Sequence, residues 1–155
     1  MSDSIEIRAA TPQDAAAIRA LTRAAYARWV PLIGREPLPM TADYEAAVRQ
    51  HRFDLLQVEG ELAGLIETVT QPDHLWIENV AVAPDHQGKG LGRHLLAHAE
   101  ELARAAGLGE LRLLTNAAFA ANIVLYRHLG YVIERTEPFR DGGTTVYMSK
   151  RLVRS

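Results

Sequence analysis

Gln87-Gly88-Lys89-Gly90-Leu91-Gly92-Arg93 follows an apolar run, Leu75–Val82, and leads into a helical pattern. Glycines at 88, 90 and 92 let backbone N–H groups converge on one concavity with no Cβ in the way. A helix start adds unpaired N–H groups and the positive end of the helix dipole. Lys89 and Arg93 bring charge to the same end. The chemistry implied is anion binding, most naturally of a phosphate or pyrophosphate. Glycine in place of alanine costs a helix about 1 kcal/mol per residue, so three of them at a helix start call for a reason. The dinucleotide pattern G-x-G-x-x-G fails, because its third glycine falls on Arg93. The triphosphate loop G-x-x-x-x-G-K-[ST] fails as well, since no glycine stands five places before a Gly-Lys-Ser/Thr.

Three other groups have chemistry-bearing residue types. Asn122 and Tyr126 stand at i and i+4 and share a helix face. A phenol titrates near pH 10, so at neutral pH Tyr126 is protonated and can donate. Glu78 is an acid inside an otherwise apolar strand, Leu75-Trp76-Ile77-Glu78-Asn79-Val80. Strict alternation puts it on the face of Val80 and Val82, opposite Asn79, unless a bulge intervenes. His94 and His98 are also at i and i+4, with Glu101 three further on. The metalloprotease pattern H-E-x-x-H is absent, so this trio reads as a solvated helix face and no metal is expected.

The elements that must carry these residues follow from periodicity and turn residues. Ile5–Arg8 alternates as a short strand. Thr11-Pro12 starts a helix that runs to about Trp29, with Ala17, Ile18, Leu21, Ala24 and Ala25 at helical spacing. Four residues, Pro31, Gly34, Pro37 and Pro39, make Val30–Met40 a loop stiffened by proline, and Thr41 caps a second helix through Gln50. Asp54–Val58 and Leu62–Val69 form a hairpin around Gly60. Leu75–Val82 is a strand, Leu91–Ala106 a helix, Leu111–Leu114 a strand and Ala118–Leu129 a helix stopped by Gly130. Tyr131–Glu134 and Thr144–Ser149 are the last strands. The order, β-α-α-β-β-β-α-β-α-β-β, is α/β without strict alternation and calls for a mixed sheet.

Composition narrows the function classes. The 155 residues are 48% apolar and 23% charged, ordinary for a globular chain of one domain. Seventeen basic against nineteen acidic residues give a net charge of −2 and advertise no nucleic-acid partner. No cysteine is present, which excludes disulfides, cysteine-ligated metals and a cysteine nucleophile. The opening residues lack a basic region followed by an apolar run, and no apolar stretch is long enough for a bilayer, so no membrane partner and a cytoplasmic location are expected.

What remains for the glycine run is Q/R-x-x-G-x-G/A. In that form Gln87–Gly92 resembles the acetyl-CoA pyrophosphate loop of the GNAT N-acetyltransferases. The run Thr115-Asn116 through Asn122, Tyr126 and Gly130-Tyr131 is similar to the family's second signature, and Val146–Leu152 to its last strand. The resemblance covers about residues 5–152. It implies a GNAT-like, mostly antiparallel sheet, splayed between two central parallel strands, with pantetheine in the gap against Val80, Ala81 and Val82. It implies pyrophosphate on the amides of Gln87, Gly88, Lys89, Gly90, Leu91 and Gly92 with Arg93 nearby. Asn116 and Asn122 would bind the cofactor, and Tyr126 would stand beside the thioester sulfur as general acid. Amine acetylation needs a proton acceptor, either Glu78 or ordered water. The implied reaction is direct transfer from acetyl-CoA to an amine of a small molecule or peptide, with backbone N–H groups of Val80–Val82 polarising the thioester. A non-catalytic acetyl-CoA sensor is the rival reading. The acceptor and the oligomeric state, a homodimer among the options, stay open. Acceptor specificity is expected from the segments Trp29–Met40 and Glu137–Gly143, where Trp29, Arg35, Tyr44 and Arg140 serve either the acceptor or packing.

Overall fold

The computed structural model describes residues 4–139 and 142–153. One seven-stranded sheet runs in the order β1-β2-β3-β4-β5-β7-β6. Its strands are β1 Ile5–Ala9, β2 Arg52–Val58, β3 Glu61–Thr70, β4 Leu75–Val82, β5 Glu110–Asn116, β6 Val132–Pro138 and β7 Thr144–Arg151. The helices are α1 Ala15–Tyr26, α2 Val30–Ile33, α3 Leu38–Thr41, α4 Tyr44–Gln50, α5 Leu91–Ala105 and α6 Ala120–His128.

All neighbouring strands pair antiparallel except β4 and β5. That parallel pair is held only over Leu75↔Leu111, Trp76↔Arg112 and Ile77↔Leu113. Both strands then continue without pairing to each other, β4 to Val82 and β5 to Asn116, so a gap opens between their carboxyl ends. The mixed, splayed sheet is the one expected from the sequence.

Two apolar layers hold the sheet. On one face, Leu95, Leu96, Ala99 and Ala103 of α5 and Tyr126 of α6 cluster with Leu56, Ile66, Ile77 and Leu111. On the other, Ile18, Leu21 and Ala25 of α1 and Tyr44 of α4 pack with Phe53, Leu55, Leu65 and Ala81. The β2–β3 hairpin turns on Glu59 (φ 50°) and Gly60 (φ 81°), two consecutive left-handed residues as a two-residue primed turn requires.

Several boundaries differ from the sequence reading. The segment Val30–Met40 is not a loop. It carries α2 and most of α3, with Pro31 and Pro39 in the first turns, where a missing N–H costs nothing. α1 ends at Tyr26 and passes into a 3-10 turn, Ala27–Trp29. α4 starts at Tyr44 because Asp43, not Thr41, is its cap, accepting from the Ala46 N–H at 3.2 Å. β6 extends to Pro138, which shortens the expected loop before β7, and Arg140 lies outside the described residues.

Candidate functional site

The gap between β4 and β5 exposes a particular set of backbone groups. Ala83 N–H donates to Ala63 O at 2.8 Å, and Ala81 pairs with Leu65 across β3. Alternation therefore points the backbone groups of Ala81 into the sheet and those of Val80 and Val82 into the gap. Side chains meet both exposed carbonyls. The Tyr26 hydroxyl lies 3.3 Å from Val80 O, and Gln87 Nε2 donates to Val82 O at 3.0 Å. The N–H groups of Val80 and Val82 face the same gap.

The glycine run lies at the end of that gap. Gly88 (φ 81°) and Gly90 (φ 80°) are left-handed, and a Cβ built on either meets nothing within 4 Å. Gly90 caps α5, so the unpaired N–H groups of the first turn open into this empty concavity. Gly92 lines the same cavity and serves packing as well. Its missing side chain lets Leu125 of α6 approach, with 3.4 Å to a built Cβ. Leu91 is buried in the core and, with Arg93, borders the cavity, while Lys89 is exposed outside its lining. Gln87 is held twice, by its bond to Val82 O and by Arg28, whose guanidinium donates to Gln87 Oε1 at 3.0 Å. Arg28 also covers the Trp29 ring at 4.4 Å, and Trp29 stacks on Phe119 at 4.5 Å. Trp29, offered by the sequence as either site or packing, thus closes one wall of the gap.

Two cavities occupy the gap. One, of about 410 Å³, runs along Val80–Val82 and the glycine loop. The other, of about 250 Å³, lies between β4, β5 and the α2–α3 segment and includes Ile77, Glu78, Thr115, Asn116, Phe139 and Tyr147. Four residues line both: Tyr26, Val80, Asn122 and Tyr126. Burial pushes the Tyr126 hydroxyl up to about 12, so it is a proton donor at neutral pH. Burial raises Tyr26 further.

Glu78 is not where strict alternation puts it. Asn79 pairs with Glu67 and Ile77 with Thr68, leaving Glu78 as an extra, bulged residue. Ile77 and Val80 both pack in the α5 layer, so Glu78 shares the opposite face with Asn79 instead of the face of Val80. There it lines the smaller cavity, exposed, with Oε2 accepting from the Trp76 indole at 2.5 Å. Asn79 beside it is buried and receives the Tyr26 hydroxyl at 2.8 Å. Asn79 Nδ2 is 3.4 Å from the Tyr44 hydroxyl, which donates to Pro39 O at 2.6 Å. Burial pushes the Tyr44 hydroxyl up to about 12. Tyr44 is thereby a packing residue that ties α4 to α3.

Asn116 lines the smaller cavity, and its Oδ1 accepts from the Ala118 N–H at 2.9 Å, shaping the turn into α6. His98 leaves the solvated face expected for it: its Nε2 is 3.4 Å from the buried Asp54, which Arg52 grips in a fork. Among the described residues, no three His, Cys, Asp or Glu side chains gather as a metal site, and no helix is long and apolar enough to cross a membrane. The sequence reading missed Tyr26, Arg28 and Phe119. The signal for Tyr26 was present, as Ile18, Thr22 and Tyr26 fall on one line of α1 at spacing four.

Comparison with known proteins bears on the family and the fold. The chain is 38% identical over 81 residues to a streptothricin acetyltransferase of Streptomyces lavendulae, a match covering 51% of this chain and 43% of that one. It is 39% identical over 83 residues to the [ribosomal protein bS18]-alanine N-acetyltransferase of Escherichia coli K12, covering 54% and 55%. The chain thus spans about half the length of the curated relatives it matches. Its fold superposes on the PaiA N-acetyltransferase of Thermoplasma acidophilum, solved in complex with coenzyme A, with a TM-score of 0.84 at 20% identity over 96% of this chain and 99% of that one. Residues 16–131, which hold α1 from its second residue, the splayed strands, the glycine loop and Tyr126, match the model of the acetyltransferase (GNAT) family, and the chain belongs to that family.

Proposed function

We propose that the chain is an acetyl-CoA-dependent N-acetyltransferase that moves the acetyl group directly to a primary amine of a small molecule or peptide. The observation that carries this reading is the junction of two cavities at Tyr26, Val80, Asn122 and Tyr126. The residues fit the cofactor: an empty concavity under Gly88 and Gly90, helix N–H groups, and the N–H groups of Val80 and Val82 facing the gap. Acetyl-CoA supplies the acetyl group as a thioester. Val80 and Val82 offer N–H groups that hold an extended arm and polarise a carbonyl beside it. Asn122 orients from the next turn of α6. Tyr126 Oη holds a proton for the departing thiolate, and Glu78 receives the proton of the amine, directly or through water. Two adjacent cavities and a chain without cysteine favour one ternary complex over a covalent acyl-enzyme.

The test has two readouts. Calorimetry should find coenzyme A and acetyl-CoA bound, and a thiol-release assay with a panel of primary amines should find turnover. The named relatives act on streptothricin and on an alanine of ribosomal protein bS18, so the panel includes small amines and peptide N-termini. Binding without turnover of any amine supports the sensor reading instead. Absence of binding removes both.

A further inference from the structure

Among the described residues, the smaller cavity is lined by one cation, Arg35, and the acids around it are already engaged. Glu36, next in the chain, is forked by Arg23 at 3.0 and 3.2 Å. Glu137 pairs with Arg135, which itself lies 3.7 Å over the Tyr147 ring. Glu78 accepts from the Trp76 indole. Arg35 instead rests its guanidinium 4.8 Å over the Phe139 ring, and among the described residues no carboxylate bonds it. A guanidinium held over a ring face keeps its N–H groups available at its rim, where a carboxylate can be bound by two of them.

We infer that the acceptor is a small amino acid, carrying a carboxylate that pairs with Arg35, the amine that reaches Glu78 and Tyr126, and an apolar body. This rests on the proposed acetyl transfer and names its substrate class. The lining offers a partner for each charge of such a molecule: Arg35 from the α2–α3 segment for the carboxylate and Glu78 from the β4 bulge for the amine. Phe139, Leu38 and Ile77 supply apolar wall for the body of the molecule. A single guanidinium suits a carboxylate better than a phosphate, which has three oxygens to satisfy. A purely cationic amine leaves Arg35 unanswered and repels it.

Matched pairs test this: leucine, phenylalanine and a series of ω-amino acids, each against its own primary amide. In the parent, each accepted acid should have the lower KM. Arg35→Gln should raise KM for the acids about 10–100-fold, the span of a lost charge-assisted hydrogen bond, and leave the amides and acetyl-CoA nearly unchanged. Arg35→Lys should recover part of the loss. Calorimetry with the N-acetylated acid and amide on the coenzyme A-bound protein should show the same discrimination without turnover. Amides or simple amines used as well as acids, or equal losses on acid and amide in Arg35→Gln, overturn the substrate class while leaving acetyl transfer standing. No binding of acetyl-CoA overturns both.

Discussion

The Tyr26 hydroxyl donates to Asn79 Oδ1 at 2.8 Å, joining the last residue of α1 to the strand position beside the Glu78 bulge. Tyr26 lines both cavities, so this bond fixes the wall they share. Tyr26→Phe leaves a buried amide oxygen without its donor, a cost of about 1–3 kcal/mol. Asn79→Ala should cost a similar amount. Because both variants break the same bond, the double variant should be less destabilised than the sum, by about 1 kcal/mol. Urea unfolding of the four proteins measures that coupling. Strict additivity would mean that the bond contributes nothing.

Gly90 and Gly60 form a matched pair for testing the anion concavity. Both are left-handed, at φ 80° and 81°, and both face open space. Alanine at either costs about 1 kcal/mol of backbone strain. Only Gly90 borders the larger cavity and caps α5. Gly90→Ala and Gly60→Ala should lose similar stability, while only the first weakens coenzyme A binding, by 10-fold or more on a rough scale. Equal affinities in the two variants would move the phosphate away from this loop.

How much of this was legible in the sequence depends on how local each cause is. The glycine turn and the Asn122–Tyr126 spacing are local backbone demands, and both appear in place. The direction of Glu78 is not local. It depends on β3 supplying Glu67 and Thr68 as consecutive partners for Asn79 and Ile77, and alternation within β4 cannot know that. Val30–Met40 misled for a different reason: proline breaks a helix in its interior but suits its first turn, and four-residue helices give no periodicity to detect. Arg28 and Phe119 act through partners distant in the chain, Gln87 and Trp29, and carry no sequence pattern of their own.

Asp14 should contribute stability that disappears in acid. Its carboxylate accepts from Arg8 at 2.9 and 3.0 Å and from the Thr11 N–H at 2.8 Å, and these bonds hold it down at about 2. The folded value lies below the unfolded one, near 3.8. The stabilisation is therefore present above about pH 4 and is lost as pH falls toward about 2. Asp14→Asn should cost about 1 kcal/mol at neutral pH. The gap in Tm between parent and variant should close in acid. A gap that persists at about pH 2 would assign the effect to packing, not charge.

Glu78→Gln keeps the shape of the bulge and an acceptor for the Trp76 indole, yet it removes the group proposed to take the amine proton. Turnover should fall most where the amine is largely protonated, by about 10²-fold or more. The deficit should shrink as pH approaches the amine's own pKa. Affinity for acetyl-CoA should hold, since Glu78 lines only the smaller cavity. Rates unchanged across the pH range would assign the proton to water.

Tyr126→Phe separates chemistry from packing. The ring is 9% exposed, belongs to the α5-side core and lies 5.7 Å from the Tyr131 ring, and phenylalanine preserves those contacts. Only the hydroxyl is lost. General-acid assistance is worth about 10²–10⁴ in rate, and a thiol is a fair leaving group, so a loss near the lower end is expected. Binding of acetyl-CoA should change little, because the strand edge and glycine loop are proposed to hold most of it. The pH profile gives a second readout. Burial holds the hydroxyl up at about 12. The acid form therefore persists through the alkaline range in which an ordinary phenol, near 10, begins to ionise. The parent should show no alkaline fall in kcat between about pH 8 and 10. Tyr126→Phe should be slower by a nearly constant factor over that window. Equal losses in rate and affinity would make Tyr126 a positioning residue. A parental fall in kcat near pH 9–10, missing from the variant, would mean that its hydroxyl ionises like an exposed phenol and that its burial does not set its chemistry.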